Sequence, residues 1–148
     1  MKVEQILKDK SNEIISIDHE AVIADAVRLL SEKHIGVLIV NDQHGKIHGI
    51  ISERDIVKAC HSNPGNVKGL SVANVMTPRE KLIIATQSDD INAIMNMMTN
   101  NRIRHIPVIE NNQIIGMLSI GDIIKAILEV AHHENRMLKD FIDAKYPA

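Results

Sequence analysis

GIISERDIVKAC, Gly49–Cys60, reads as a strand running into a helix, and GMLSIGDIIKAI, Gly116–Ile127, repeats it 67 residues later. Six of the twelve letters are identical (Gly, Ser, Asp, Ile, Lys, Ala) and three more stay aliphatic, so the chain carries a duplicated strand-Ser-x-x-Asp-helix segment. The duplication extends upstream. Val3–Ile17 aligns with Val72–Thr86 and Ile23–Val40 with Ile91–Val108, the offset sliding from 69 to 68 to 67 as short loop deletions would make it. Each repeat is about sixty residues long, a size that is marginal alone, and packing one copy against the other is the natural remedy.

In repeat one, Ile14–Ile17 reads as a short strand and Asp18 as the cap of a helix over about Val22–Lys33. Val37–Val40 is a buried strand, NDQHGK a turn centred on Gly45, and Ile47–Ile51 the returning hairpin strand; Ser52 opens the next helix. Repeat two follows in the same order: strand Leu82–Ala85, helix Ile91–Asn100, strand Ile106–Ile109, the turn ENNQ, strand Ile114–Leu118 and a helix from about Ile120. The fold class is α+β: two tandem β-α-β-β-α repeats related by a pseudo-two-fold axis, plus a C-terminal helix. The boundaries read 1–62 for the first repeat, 63–71 for a Gly-, Pro-, Asn- and Ser-rich linker, 72–129 for the second repeat, and 130–148 for the C-terminal helix extension. Ile124, Ile127, Leu128, Ala131, Leu138 and Phe141 form an apolar stripe at helical spacing about 30 Å long, which predicts a second subunit against it.

The 148 residues carry a net charge of −2, with one Tyr, one Phe and no Trp. That composition offers neither attraction to a phosphate backbone nor aromatic platforms for bases, so no nucleic acid is expected. The longest aliphatic run, IGVLIV, is far short of a membrane span, and MKVEQILKDK lacks the apolar core of a signal peptide; the expectation is no membrane and a cytoplasmic location. Cys60 is the sole cysteine and reads as a small core residue of a helix. His44 and His48 flank a turn without a supporting acid or thiol, His132 and His133 diverge on a helix, and Met95, Met97 and Met98 read as adaptable core or interface, so no metal is expected. No nucleophile-and-base arrangement emerges, and the chain reads as a non-enzyme.

The two G-h-h-S-x-x-D segments, the MTP of Met76–Pro78 and RIRHIPVI, Arg102–Ile109, together resemble the paired CBS domain, a regulatory module named after cystathionine β-synthase. The resemblance covers Val3 to about Leu128, and the chain is similar in particular to stand-alone bacterial pairs. It implies a disc-like domain with two clefts between the repeats that take an adenosine-containing nucleotide, AMP, ADP, ATP, NAD(H) or S-adenosylmethionine. It also implies a homodimer that signals to a target protein the sequence does not identify, with no catalytic cofactor. By the same resemblance, Asp55 and Asp122 take ribose hydroxyls, Ser52 and Ser119 meet phosphate, and Ile15, Ser16, Ile84 and Ala85 face the base. Arg104 and His105 stand where some members hold phosphate, and Arg54 is a further cation beside Asp55.

The residue chemistry agrees with that implication. An ionised Asp is an acceptor that suits a cis-diol, and a helix N-terminus favours phosphate. The competing reading is equally physical: Ser-x-x-Asp at a helix start is a capping box useful to any helix. Repeat one has Gly36-Val37 where repeat two has Arg104-His105, which predicts unequal clefts with the Asp122 cleft binding phosphate-bearing ligands more tightly. The alternative function is a structural or interaction protein with the C-terminal helix as its interface.

Overall fold

The computed structural model describes residues 1–11 and 13–146. In chain order the elements are α1 (Val3–Asp9), β1 (Ser16–Asp18), α2 (Ile23–Lys33), β2 (Val37–Asn41), β3 (Ile47–Ser52), α3 (Glu53–Ser62), α4 (Val72–Val75) and β4 (Thr77–Pro78). After a 3-10 turn at Arg79–Lys81 come α5 (Ile91–Asn101), β5 (His105–Glu110), β6 (Gln113–Ser119) and α6 (Ile120–Lys145). They form two compact units: Glu13–Ile84, which we term the first-repeat unit, and Met1–Asn12 joined with Ala85–Ala148, the second-repeat unit.

In the first-repeat unit the sheet order is β1-β2-β3-β4, parallel between β1 and β2 and antiparallel thereafter. The α2 helix buries Ile23, Ala26 and Leu30, spaced to fall on one face, against Ile17, Leu38, Val40 and Ile51 of the strands. It ends at His34 in the left-handed conformation, φ 54°. Val72, the first residue of α4, is fully buried in the same core. Its N–H donates to the Ala21 carbonyl at 2.8 Å and the Ala73 N–H to that of His19 at 3.0 Å, fixing α4 over the start of α2.

The second-repeat unit repeats this joint with a segment from the other end of the chain. Val3, fully buried at the start of α1, donates to the Asp89 carbonyl at 3.0 Å and Glu4 to that of Gln87 at 3.0 Å, just before α5. Each unit thus takes its leading helix from the sequence of the other repeat. The core here is Ile91, Ile94 and Met98 of α5 with Ile106, Val108 and Leu118 of the β5–β6 hairpin and Ile123 of α6.

Both expected hairpins form, by different turn chemistry. The first carries Gly45 at φ 77°, with Asp42 Oδ1 accepting from the His44 and Lys46 N–H groups at 2.9 and 3.0 Å. The second places Asn111 and Asn112 at φ 49° and 61°, the pair of positive angles a tight hairpin turn requires.

The strand expected at Leu82–Ala85 is not there; Ala85 makes a single parallel bridge to Val108. The reason is Pro107. Ile17 stands opposite Val40 as Ala85 stands opposite Val108, so Ile39 and Pro107 are counterparts. The Ile39 N–H donates to the Ile15 carbonyl at 3.1 Å, and Pro107 has no N–H to offer Ile83, so the second ladder stops one bond earlier. The first strand is likewise shorter than expected, beginning at Ser16 rather than Ile14.

Candidate functional site

The two Ser-x-x-Asp segments fold alike. Ser52 caps α3 and Ser119 caps α6, each in extended backbone conformation. The Asp55 N–H donates to Ser52 Oγ at 3.3 Å and the Ser52 N–H to Asp55 Oδ2 at 2.9 Å; the corresponding distances at Ser119 and Asp122 are 3.1 and 2.8 Å. Both are capping boxes, as the competing reading expects, and both leave a half-buried carboxylate beside a helix N-terminus.

The third partner differs. At Asp55 the Thr77 hydroxyl donates to Oδ1 at 3.1 Å and the Ser52 hydroxyl to Oδ2 at 3.0 Å. Thr77 reaches it because β4 lies against β3 with Ile50 opposite Thr77 and Gly49 opposite Pro78. Gly49 makes that approach possible: a Cβ there would run into the Thr77 carbonyl oxygen. At Asp122 the partner is a cation. Lys10 Nζ donates to Asp122 Oδ2 at 2.7 Å and to the Met117 carbonyl at 2.7 Å.

Burial is the largest influence on the Asp122 carboxyl and raises its pKa, but the Lys10 hydrogen bond, the Ser119 N–H and hydroxyl, and the Lys10 charge together outweigh it and hold the pKa below the usual carboxylate range. Lys10 and Asp122 also line a groove of about 650 Å³ between α1 and α6, with Ile6, Asp9, Lys125 and Glu129 among its walls.

The Arg104 carbonyl accepts from the Ile120 N–H at 2.9 Å, and His105 pairs with Ser119, so both stand beside the start of α6. Gly36 and Val37 stand in the same relation to α3, through Glu53 N–H to Gly36 at 3.0 Å and the pairing of Val37 with Ser52. Arg54 is exposed in the first turn of α3. Ile15 is half-buried, and Ser16 and Ile84 are exposed. Ala85 is fully buried, its N–H bonded to Pro107 and its carbonyl to Ile109, so it belongs to the core and offers a base no surface. The alignment that paired Ala85 with Ser16 is one residue out of the structural register, and in a strand one residue exchanges the faces.

Two residues escaped the sequence reading. Thr77 lies in the MTP segment, which marked the repeat without suggesting a hydroxyl aimed at Asp55. Lys10 had no signal, because nothing in its neighbourhood of sequence points to a carboxylate 112 residues away.

Elsewhere in the first-repeat unit, His48 Nε2 lies 3.0 Å from Asp42 Oδ2, and its ring stacks on His19 with centroids 4.5 Å apart. The His48 hydrogen bond, as the largest cause, brings the Asp42 carboxyl down to about 2. Cys60 is exposed on α3 rather than in the core, contrary to expectation, because α3 buries Ala59 instead. Of α6 only Ile123 is buried, and Ile124, Ile127, Leu128, Leu138 and Phe141 are 39–62% exposed. Among the described residues no helix is long and apolar enough to cross a membrane.

The CBS domain family matches this sequence twice, at residues 3–62 and 72–129. A CBS domain-containing protein of Arabidopsis thaliana, CBSX3, mitochondrial, is 36% identical over 124 residues, which cover 82% of this chain and 60% of that protein. The chain therefore spans about three-fifths of that relative. Among solved structures, a CBS-domain-containing protein from Agrobacterium tumefaciens superposes with a TM-score of 0.80 at 32% identity, covering 84% of this chain and 92% of the other. A putative signal-transduction protein with CBS domains from Burkholderia ambifaria gives 0.80 at 33%, covering 87% and 95%. The CBS domain pair of protein MJ0100, in complex with 5′-methylthioadenosine and S-adenosyl-L-methionine, gives 0.72 at 26%, covering 86% and 99%.

Proposed function

This chain belongs to the CBS-domain family, and from that premise we propose that it is a regulatory sensor of an adenosine-containing ligand, AMP, ADP, ATP or NAD(H). It acts in the cytoplasm, performs no chemistry on the ligand and signals through a homodimer to a target protein. The observation that carries the reading is the pair of helix starts at Ser52 and Ser119, each holding a half-buried carboxylate at the positive end of a helix dipole. The dipole suits phosphate, and the carboxylate suits a ribose diol. Ser52, Arg54 and Asp55 form one set, with Ile15, Ser16 and Ile84 as candidates for the base. Ser119, Asp122, Arg104 and His105 form the other. The adenosyl ligands in the MJ0100 complex support the class of ligand.

The homodimer rests on α6. Its exposed Ile124, Ile127, Leu128, Leu138 and Phe141 would gain about 25 cal/mol per Å² of apolar surface removed from water. The same helix supports the alternative of an interaction protein without a ligand. Thermal unfolding with and without each ligand separates them: a ligand a hundredfold above its Kd adds about 2.7 kcal/mol to stability. The sensor reading expects a rise in Tm with at least one adenosyl ligand, smaller in Asp55→Asn. A Tm unmoved by AMP, ATP, NADH and S-adenosylmethionine alike would leave the interaction reading.

A further inference from the structure

We infer that Lys10 makes the two ligand positions unequal, closing Asp122 to a ribose diol in the free chain and leaving Asp55 as the position that takes adenosine. The inference rests on the reading of these carboxylates as ribose acceptors and reverses the order expected from Arg104 and His105. A cis-diol that bonds both oxygens of a carboxylate needs an acceptor site on each. At Asp122, Oδ2 already receives two donors, the Ser119 N–H at 2.8 Å and Lys10 Nζ at 2.7 Å. Neither is a neutral rotor. Lys10 is anchored a second time on the Met117 carbonyl, and its side chain and that of Asp122 retain 32% and 23% of their exposure. A neutral hydroxyl arriving at Oδ2 would have to replace a short charge-assisted bond and leave an ammonium half-buried without its counter-charge.

Asp55 is built differently. Among the described residues, the donors on its carboxylate apart from the Ser52 N–H are two hydroxyls, Ser52 Oγ at 3.0 Å and Thr77 Oγ1 at 3.1 Å. Each can turn about its C–O bond to another acceptor, giving up an oxygen lone pair without stranding a charge. The Asp55 site retains its negative charge, and at Asp122 the lysine cancels it.

Adenosine, which has the diol and no phosphate, is the probe, and isothermal titration of the full chain is the measurement. The expected result is one site per chain, with Asp55→Asn weakening it at least tenfold more than Asp122→Asn. Lys10→Thr, which removes the ammonium and leaves a short neutral residue, should raise the stoichiometry to two. Lys10→Met, which removes the charge and keeps the length, should do the same, so the test does not depend on one variant folding. Two equal sites in the unaltered chain, or greater loss in Asp122→Asn, would overturn the inference while leaving the sensor reading intact. Failure of adenosine, AMP, ATP and S-adenosylmethionine to bind the unaltered chain and both Lys10 variants would overturn both.

Discussion

Asp55 and Asp122 occupy the same place in the same capping box, with Ser N–H to Asp Oδ2 distances of 2.9 and 2.8 Å, yet one is completed by a threonine hydroxyl and the other by a lysine ammonium. Thr77 comes from 22 residues away, delivered by β4 through the gap at Gly49. Lys10 comes from 112 residues away, beyond the end of α1. The cap is a local structure and follows from four letters. The third partner is delivered by whichever segment docks beside the helix start, and the two units receive different segments. Duplication preserved the cap, and the docking segments set the electrostatics of each copy.

The largest expected effect concerns the exchange of leading helices. A fragment of residues 1–62 lacks Val72, fully buried in the first-repeat core, as well as β4; it should show no cooperative thermal transition by circular dichroism, whereas 13–84 should show one. A cooperative melt for 1–62 equal to that of 13–84 would mean that α4 and β4 are dispensable. Next is Gly49→Ala, which forces β4 away from β3 and should cost about 1–3 kcal/mol in urea denaturation. The Thr77 bond to Asp55 goes with it, so the variant should also alter ligand affinity. Unchanged stability would show that β4 tolerates the added methyl.

Lys10→Met should cost about 1–2 kcal/mol, less than for a fully buried pair because both side chains keep a quarter to a third of their exposure. This increment depends on pH. The Asp122 pKa is lowered in the folded chain, so its contribution is complete above the unfolded value near 3.8 and disappears as the pH falls through the folded value. Denaturation curves of Lys10→Met and the unaltered chain should therefore converge in acid; a difference as large at pH 2 as at pH 7 would detach it from Asp122. The smallest effect is Thr77→Val, which removes one neutral donor and should cost about 0.5–1.5 kcal/mol. Its cost exceeding that of Lys10→Met would invert the comparison between the two carboxylates.

The sequence by itself determined the repeats, both hairpins, the helices α2, α3 and α5, and the two Ser-x-x-Asp caps. These rest on contacts within a few residues: turn glycines and asparagines, apolar spacing on one helix face, and a serine three residues before an aspartate. The sequence also contained the cause of its own misreading at Leu82–Ala85, since Pro107 removes the N–H that such a strand requires. Only the tertiary structure decided that α1 docks beside α5 and α4 beside α2, that Ala85 is buried, and that Lys10 and Thr77 complete Asp122 and Asp55. Those outcomes depend on which distant segments meet when each unit closes its core, and a bond spanning 112 residues leaves no periodicity, cap or turn from which to read it.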